Sequence, residues 1–133
     1  MANNNEPGAI SRAVNWTGRI MSLLPSLLLI MSAVMKLTKA PQVVEGMTKS
    51  GIPDSVLIPL GITELACVIL YLIPWTSVLG AILLTGYLGG AIATHVRLEE
   101  NFVFIVILGM LVWGGLWLRD RRIRSLIPLR FGR

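Results

Sequence analysis

The sequence predicts an all-α integral membrane four-helix bundle with a short amphipathic helix between helices one and two, and three observations carry that expectation. Composition is the first: 54% of the 133 residues are apolar and 14% charged, with a mean hydropathy of +0.73, whereas about 25% of residues are charged in an ordinary soluble domain. Segment length is the second. About 20 mostly apolar residues cross a hydrocarbon core about 30 Å thick, and four such segments cover residues 18–35, 55–73, 77–96 and 102–118. The third is periodicity. Runs such as IVILGMLVW lack the strict alternation of a barrel strand, so a backbone without access to water must bond to itself as a helix.

The first segment, Gly18 to Met35, begins late, carries Pro25 and ends in SAVMKLTKA without small residues at a cleavage spacing. It is expected to be a retained helix rather than a removed leader. Residues 1–17 then form a cytoplasmic N-terminal segment, 18–118 the four-span domain and 119–133 a basic cytoplasmic tail. The one sizeable loop, KLTKAPQVVEGMTKSGIPDS, has Pro41 where a first helical turn accepts proline, Gly51 where a helix ends, and Val43, Val44 and Met47 on one side. It predicts a short surface helix, with Asp54 or Ser55 capping the second span. Trp75, Trp113 and Trp117 fall near span ends, where indole rings anchor at the interface.

The third span, SVLGAILLTGYLGGAIATHV, carries Gly80, Gly86, Gly89 and Gly90, with Ala93 four beyond Gly89. Small residues four apart let helices approach closely in lipid. This predicts that the third span is the most buried, with Gly109, Gly114 and Gly115 making a second close contact on the fourth.

Four spans place both termini on one side. That face holds Arg12, Arg19, Arg119, Arg121, Arg122, Arg124, Arg130 and Arg133, against Lys36, Lys39, Lys49 and Arg97 on the other. The positive-inside rule puts both termini in the cytoplasm. The tail RDRRIRSLIPLRFGR and the net charge of +5 suit membrane lipid headgroups directly after a span. No nucleic-acid-binding fold fits in the remaining chain.

In LGITELACVILYLIP, residues 60–74, Glu64 is the only Asp, Glu, Lys or Arg across the 42 residues from Ser55 to Val96. It lies nine residues past Ser55, about 13 Å along a helix, too deep to reach water easily. A charge there costs about 2.5–3.5 kcal/mol on insertion scales, so Glu64 must be protonated, paired or facing a polar cavity. Lys36 ends the first span and His95 nearly ends the third, with Arg97 just beyond. These residues predict a cavity opening away from the cytoplasm, built from Lys36, Glu64 and His95, with Tyr71, Tyr87, Thr94 and Arg97 around it. The bland alternative is that Glu64 and its partners only lock helix register.

With Cys67 the single cysteine and His95 the single histidine, the chain has no internal disulfide, thiolate cluster or bis-histidine haem. Glu64 and His95 lack a third ligand, so no metal site is expected. No Walker-type phosphate loop is present, because the glycines lie inside spans. What remains is proton handling and recognition of a small, partly apolar ligand such as a quinone head group, and the residues assign no catalytic step.

The order MKLTKAPQVVEGM, then GIPDSVLIPLGITELACVILYLIPWTSVLGAILLTGYLGGAIATHVR, then VWGGLWLRD resembles the DoxX-like family of small four-helix bacterial membrane proteins. GYLGGAIATH and ELAC are its most specific pieces, and Lys36, Glu64 and His95 stand at the matching polar positions. The resemblance implies a four-helix bundle in the inner (cytoplasmic) membrane of a bacterium and a tie to redox chemistry. Relatives are similar to the membrane subunit of thiosulfate:quinone oxidoreductase and to a membrane component of an oxidoreductase complex. More distant ones look like assembly factors or cargo receptors. Two functions follow: a membrane subunit of a redox or respiratory assembly that binds quinone and other protein subunits or itself, or a non-catalytic scaffold that stabilises a partner membrane complex.

Overall fold

The computed structural model describes residues 12–127. Within them the chain forms helices and turns: α1 (Arg12–Leu37), α2 (Pro41–Lys49), a 3₁₀ turn (Asp54–Val56), α3 (Leu57–Leu72), α4 (Ser77–Arg97), α5 (Val103–Arg119) and α6 (Arg121–Leu126). Three helical stretches, Arg12–Leu37, Asp54–Leu72 and Ser77–Arg97, are long and apolar enough to cross a membrane. The fourth apolar segment, α5, is 17 residues long, shorter than the other three. Arg12 to Thr17, expected outside the first span, continue its helix, while residues 1–11 and 128–133 of the two flanking segments lie outside the described residues.

Short connections make the four long helices run alternately up and down. Ile73 to Thr76 join α3 to α4, and the Thr76 hydroxyl donates to Leu70 O at 2.8 Å, capping an α3 carbonyl. Between α4 and α5 the chain turns through Glu99 at φ +57°, and Asn101 Oδ1 accepts the Val103 N–H at 2.9 Å to start α5. The surface helix α2 forms as expected, with proline in its first turn. Gly51, at φ +71°, ends it in a left-handed turn that residues with a Cβ adopt at a cost. Neither Asp54 nor Ser55 caps the next helix by side chain. The Asp54 carboxylate lies instead 3.5 Å from Lys39 Nζ, on the surface.

The helices close into a ring in which α1 packs between α3 and α5, and α4 completes the circle opposite α1. The tightest approaches fix this order. At Gly115 an added Cβ would run into Ser22 Oγ and sit 2.9 Å from Gly18 O, and at Gly80 it would run into the Tyr71 backbone. Close helix contact in lipid rests on such small residues.

The expectation that α4 is the most buried helix is therefore corrected. Its buried side, Ser77, Gly80, Ala81, Leu84 and Leu88, follows helical spacing onto one stripe. Gly86, Gly89, Gly90 and Ala93 fall on other faces, exposed at Gly86, Gly89, Gly90 and Ala93 alike. A Cβ at any of the three glycines would meet nothing within 4 Å. On α5, Gly114 and Gly115 do make close contacts, with Met21 and with Gly18 and Ser22.

Candidate functional site

Glu64 sits in the middle of α3 at 1% exposure, and the C-terminal turn of α1 brings Lys36 to it. Lys36 Nζ donates to Glu64 Oε2 at 2.8 Å and keeps 15% side-chain exposure. Because Ser32 precedes Lys36 by one helical turn, its hydroxyl joins the pair, 2.6 Å from Lys36 Nζ and 3.3 Å from Glu64 Oε2. From α4, the Tyr87 hydroxyl donates to the same oxygen at 3.1 Å, and Lys36 Nζ lies 5.8 Å from the Tyr87 ring centroid, within cation–π range. Three helices thus meet on a single carboxylate oxygen.

The bonding is uneven. Oε2 takes every hydrogen bond that Glu64 accepts among the described residues, and Oε1 takes none. An ammonium has three N–H donors, and Lys36 directs two of them, at Ser32 and Glu64. One acceptor and one donor remain unspent in a site otherwise walled by apolar helix.

The other residues expected here lie elsewhere. His95, 36% exposed, turns from Glu64 toward the α4–α5 turn, with Nε2 3.8 Å from Glu100 Oε2 and Nδ1 2.8 Å from Ala91 O. It lies eight residues beyond Tyr87, about 12 Å further along the helix toward the interface. Thr94 and Arg97 line a small rim pocket with Lys49, Ser50, Gly51, Ile52 and Leu98. Tyr71 shares the buried face of α3 with Glu64 but lies seven residues further along, about 10 Å away at 1.5 Å per residue.

Tyr71 organises a second polar cluster at the opposite end of the bundle. Its hydroxyl donates to Val112 O at 2.7 Å and lies 2.9 Å from Ser22 Oγ. Arg119 covers it, Cζ 5.1 Å from the ring centroid, and donates from Nη2 to Tyr71 O at 3.3 Å. Ser22 and Ser26 donate back to carbonyls one turn earlier, at 2.9 and 2.7 Å, which satisfies their hydroxyls around Pro25 inside the helix. Sequence reading missed Ser32 and Ser22. Their signal was helical spacing, Ser32 four residues before Lys36 and Ser22 four after Gly18.

No three His, Cys, Asp or Glu side chains converge among the described residues in a way that could hold a metal ion. Fold and site together define a small helical membrane protein whose spans enclose a charged pair. The chain belongs to the DoxX-like family, which matches residues 20–115 and so includes Lys36, Glu64, Tyr87 and His95. No curated protein and no solved structure matches the chain significantly.

Proposed function

We propose that this chain is a four-span subunit of a redox or respiratory assembly in the bacterial inner membrane, with both termini cytoplasmic. Its Lys36, Glu64 and Tyr87 cluster takes the head group of a quinone or another small, largely apolar ligand. The observation that carries this reading is the unspent acceptor at Glu64 Oε1 beside the unspent donor on Lys36. A quinone carbonyl accepts from the remaining Lys36 N–H, and a quinol hydroxyl donates to Oε1, so one site serves both forms of the ligand. Intramembrane ionisable groups are costly enough that function is the default explanation for keeping them.

The fourth crossing is supported by α5 itself. Seventeen residues extend about 26 Å, near the thickness of a hydrocarbon core, and α5 runs along α1 and α4. One cysteine and one histidine leave the chain without a redox centre of its own, so electrons pass through a partner subunit.

A second reading, a non-catalytic scaffold, draws on the outward faces of α4, where Gly86, Gly89 and Gly90 are open to another helix. Native mass spectrometry of the chain extracted gently from its own membrane separates the two. A quinone-sized adduct that disappears in a folded Glu64→Gln variant supports the ligand site. A stable protein partner with no adduct, lost on Gly89→Leu but kept in Glu64→Gln, overturns it in favour of the scaffold.

A further inference from the structure

Beyond that site, the end of the bundle carrying α6 holds a second feature that the proposed function does not use. After α5 ends, Asp120 Oδ1 accepts the Arg122 N–H at 2.9 Å and starts α6, which folds back so that Ile123 is buried against α5. Arg124 fastens the fold. Its Nε and Nη2 donate to Trp117 O and Leu118 O at 2.9 and 2.6 Å, and its Cζ lies 4.9 Å from the Trp117 ring centroid. Between the two helices runs a groove of about 300 Å³ lined by Trp113, Gly114, Trp117, Ile123 and Ile127.

Two properties of this groove specify an occupant. Its lining is apolar, with the Trp113 and Trp117 N–H groups already engaged by Thr85 Oγ1 at 2.7 Å and Ile127 O at 3.3 Å. At its edge Arg124 lies over the Trp117 ring, and Arg121 and Arg122 belong to the same short helix; none of the three forms an ion pair among the described residues. An apolar slot bounded by a short helix whose arginines have no anionic partner complements a molecule with a hydrocarbon chain and an anionic head. A neutral lipid leaves the arginines unanswered, and a soluble anion leaves the slot empty.

We infer that this groove is a binding site for one anionic phospholipid, with an acyl chain along Trp113 and Trp117 and its phosphate at the α6 arginines. Guanidinium forks suit phosphate oxygens, and indole rings at an interface suit the boundary between chain and head. The lipid would hold α6 against α5 and set where the basic end of the bundle sits in the bilayer.

The test uses the full-length protein in neutral detergent, titrated with phosphatidylglycerol or phosphatidylcholine carrying brominated acyl chains, with tryptophan quenching as readout. The expected result is quenching by the anionic lipid at about tenfold lower concentration, in line with the attraction of each arginine near anionic headgroups. Trp113→Phe with Trp117→Phe removes the selective part of the quenching, leaving only what Trp16 and Trp75 report. Arg121→Gln with Arg122→Gln, on exposed side chains that hold no helix contact, brings the two lipids to within about twofold of each other. Equal quenching by both lipids in the unaltered protein overturns the inference, as does a preference that survives the arginine changes. A preference reproduced by glycerol phosphate competing without any acyl chain overturns the groove and leaves only a surface anion site.

Discussion

Removing either partner of the Lys36–Glu64 pair tests whether the buried charge holds the helices together. At 2.8 Å, two unit charges in an effective dielectric of about 20 attract by roughly 6 kcal/mol. Taking the two ions out of water costs several kcal/mol each, so the pair is close to neutral as a whole while its halves are not. Lys36→Met strands a carboxylate at 1% exposure, and the expected loss is about 3–5 kcal/mol. Glu64→Gln costs less, because Lys36 keeps 15% exposure and its long stem can turn the ammonium toward the interface. Combining Lys36→Met with Glu64→Gln leaves no net charge behind and should recover about 2 kcal/mol or more of the summed losses, the signature of direct coupling. The measurement is reversible unfolding of the purified protein in mixed micelles, followed by helix content. Single variants within about 0.5 kcal/mol of the unaltered protein, or losses that simply add in the double variant, would refute the account.

Other expectations follow from the same geometry. Gly80→Ala places a methyl into the Tyr71 backbone and should destabilise by about 1–3 kcal/mol or more, whereas Gly89→Ala meets nothing within 4 Å and should be neutral or slightly stabilising through helix propensity. Tyr71→Phe removes the donor to Val112 O and should cost about 1–3 kcal/mol in the same unfolding assay, without affecting the ligand binding proposed at Glu64. Orientation is open to cysteine mapping, since Cys67 is the single cysteine. In a Cys67→Ser background, a membrane-impermeant maleimide added outside intact cells should label Ser50→Cys, and should reach Ser125→Cys only after the membrane is permeabilised. The opposite pattern would reverse the proposed topology.

How far sequence reading reached is clearest in α3 and α4. The ends of both helices were legible to within a residue or two, because Pro53, Asp54, Pro74 and the hydropathy break at Arg97 interrupt the chain locally. The ring order of helices was not. Gly80 and Gly89 look alike in sequence, yet one lies against Tyr71 and the other faces away. That difference comes from which stripe of α4 is turned toward α3, and the near-uniform apolarity of a span hides the stripe.

Composition and segment length already make the chain helical and membrane-embedded, and the isolation of Glu64 in an apolar run already requires it to be protonated, paired or facing a polar cavity, because a lone buried charge is costly whatever the fold. If it is paired, the sequence offers few cations near that depth, Lys36, His95 and Arg97. Tertiary structure alone decided among them. Antiparallel packing of α1 on α3 brings the end of one helix to the middle of the other, so Lys36 and Ser32 reach Glu64. The same packing puts Tyr87 on the shared oxygen, sends Tyr71 to Ser22 and Arg119 at the far end, and leaves His95 with Glu100. Helical pitch sets which residues share a face, but only the rotation and depth of each helix against its neighbours set which faces meet.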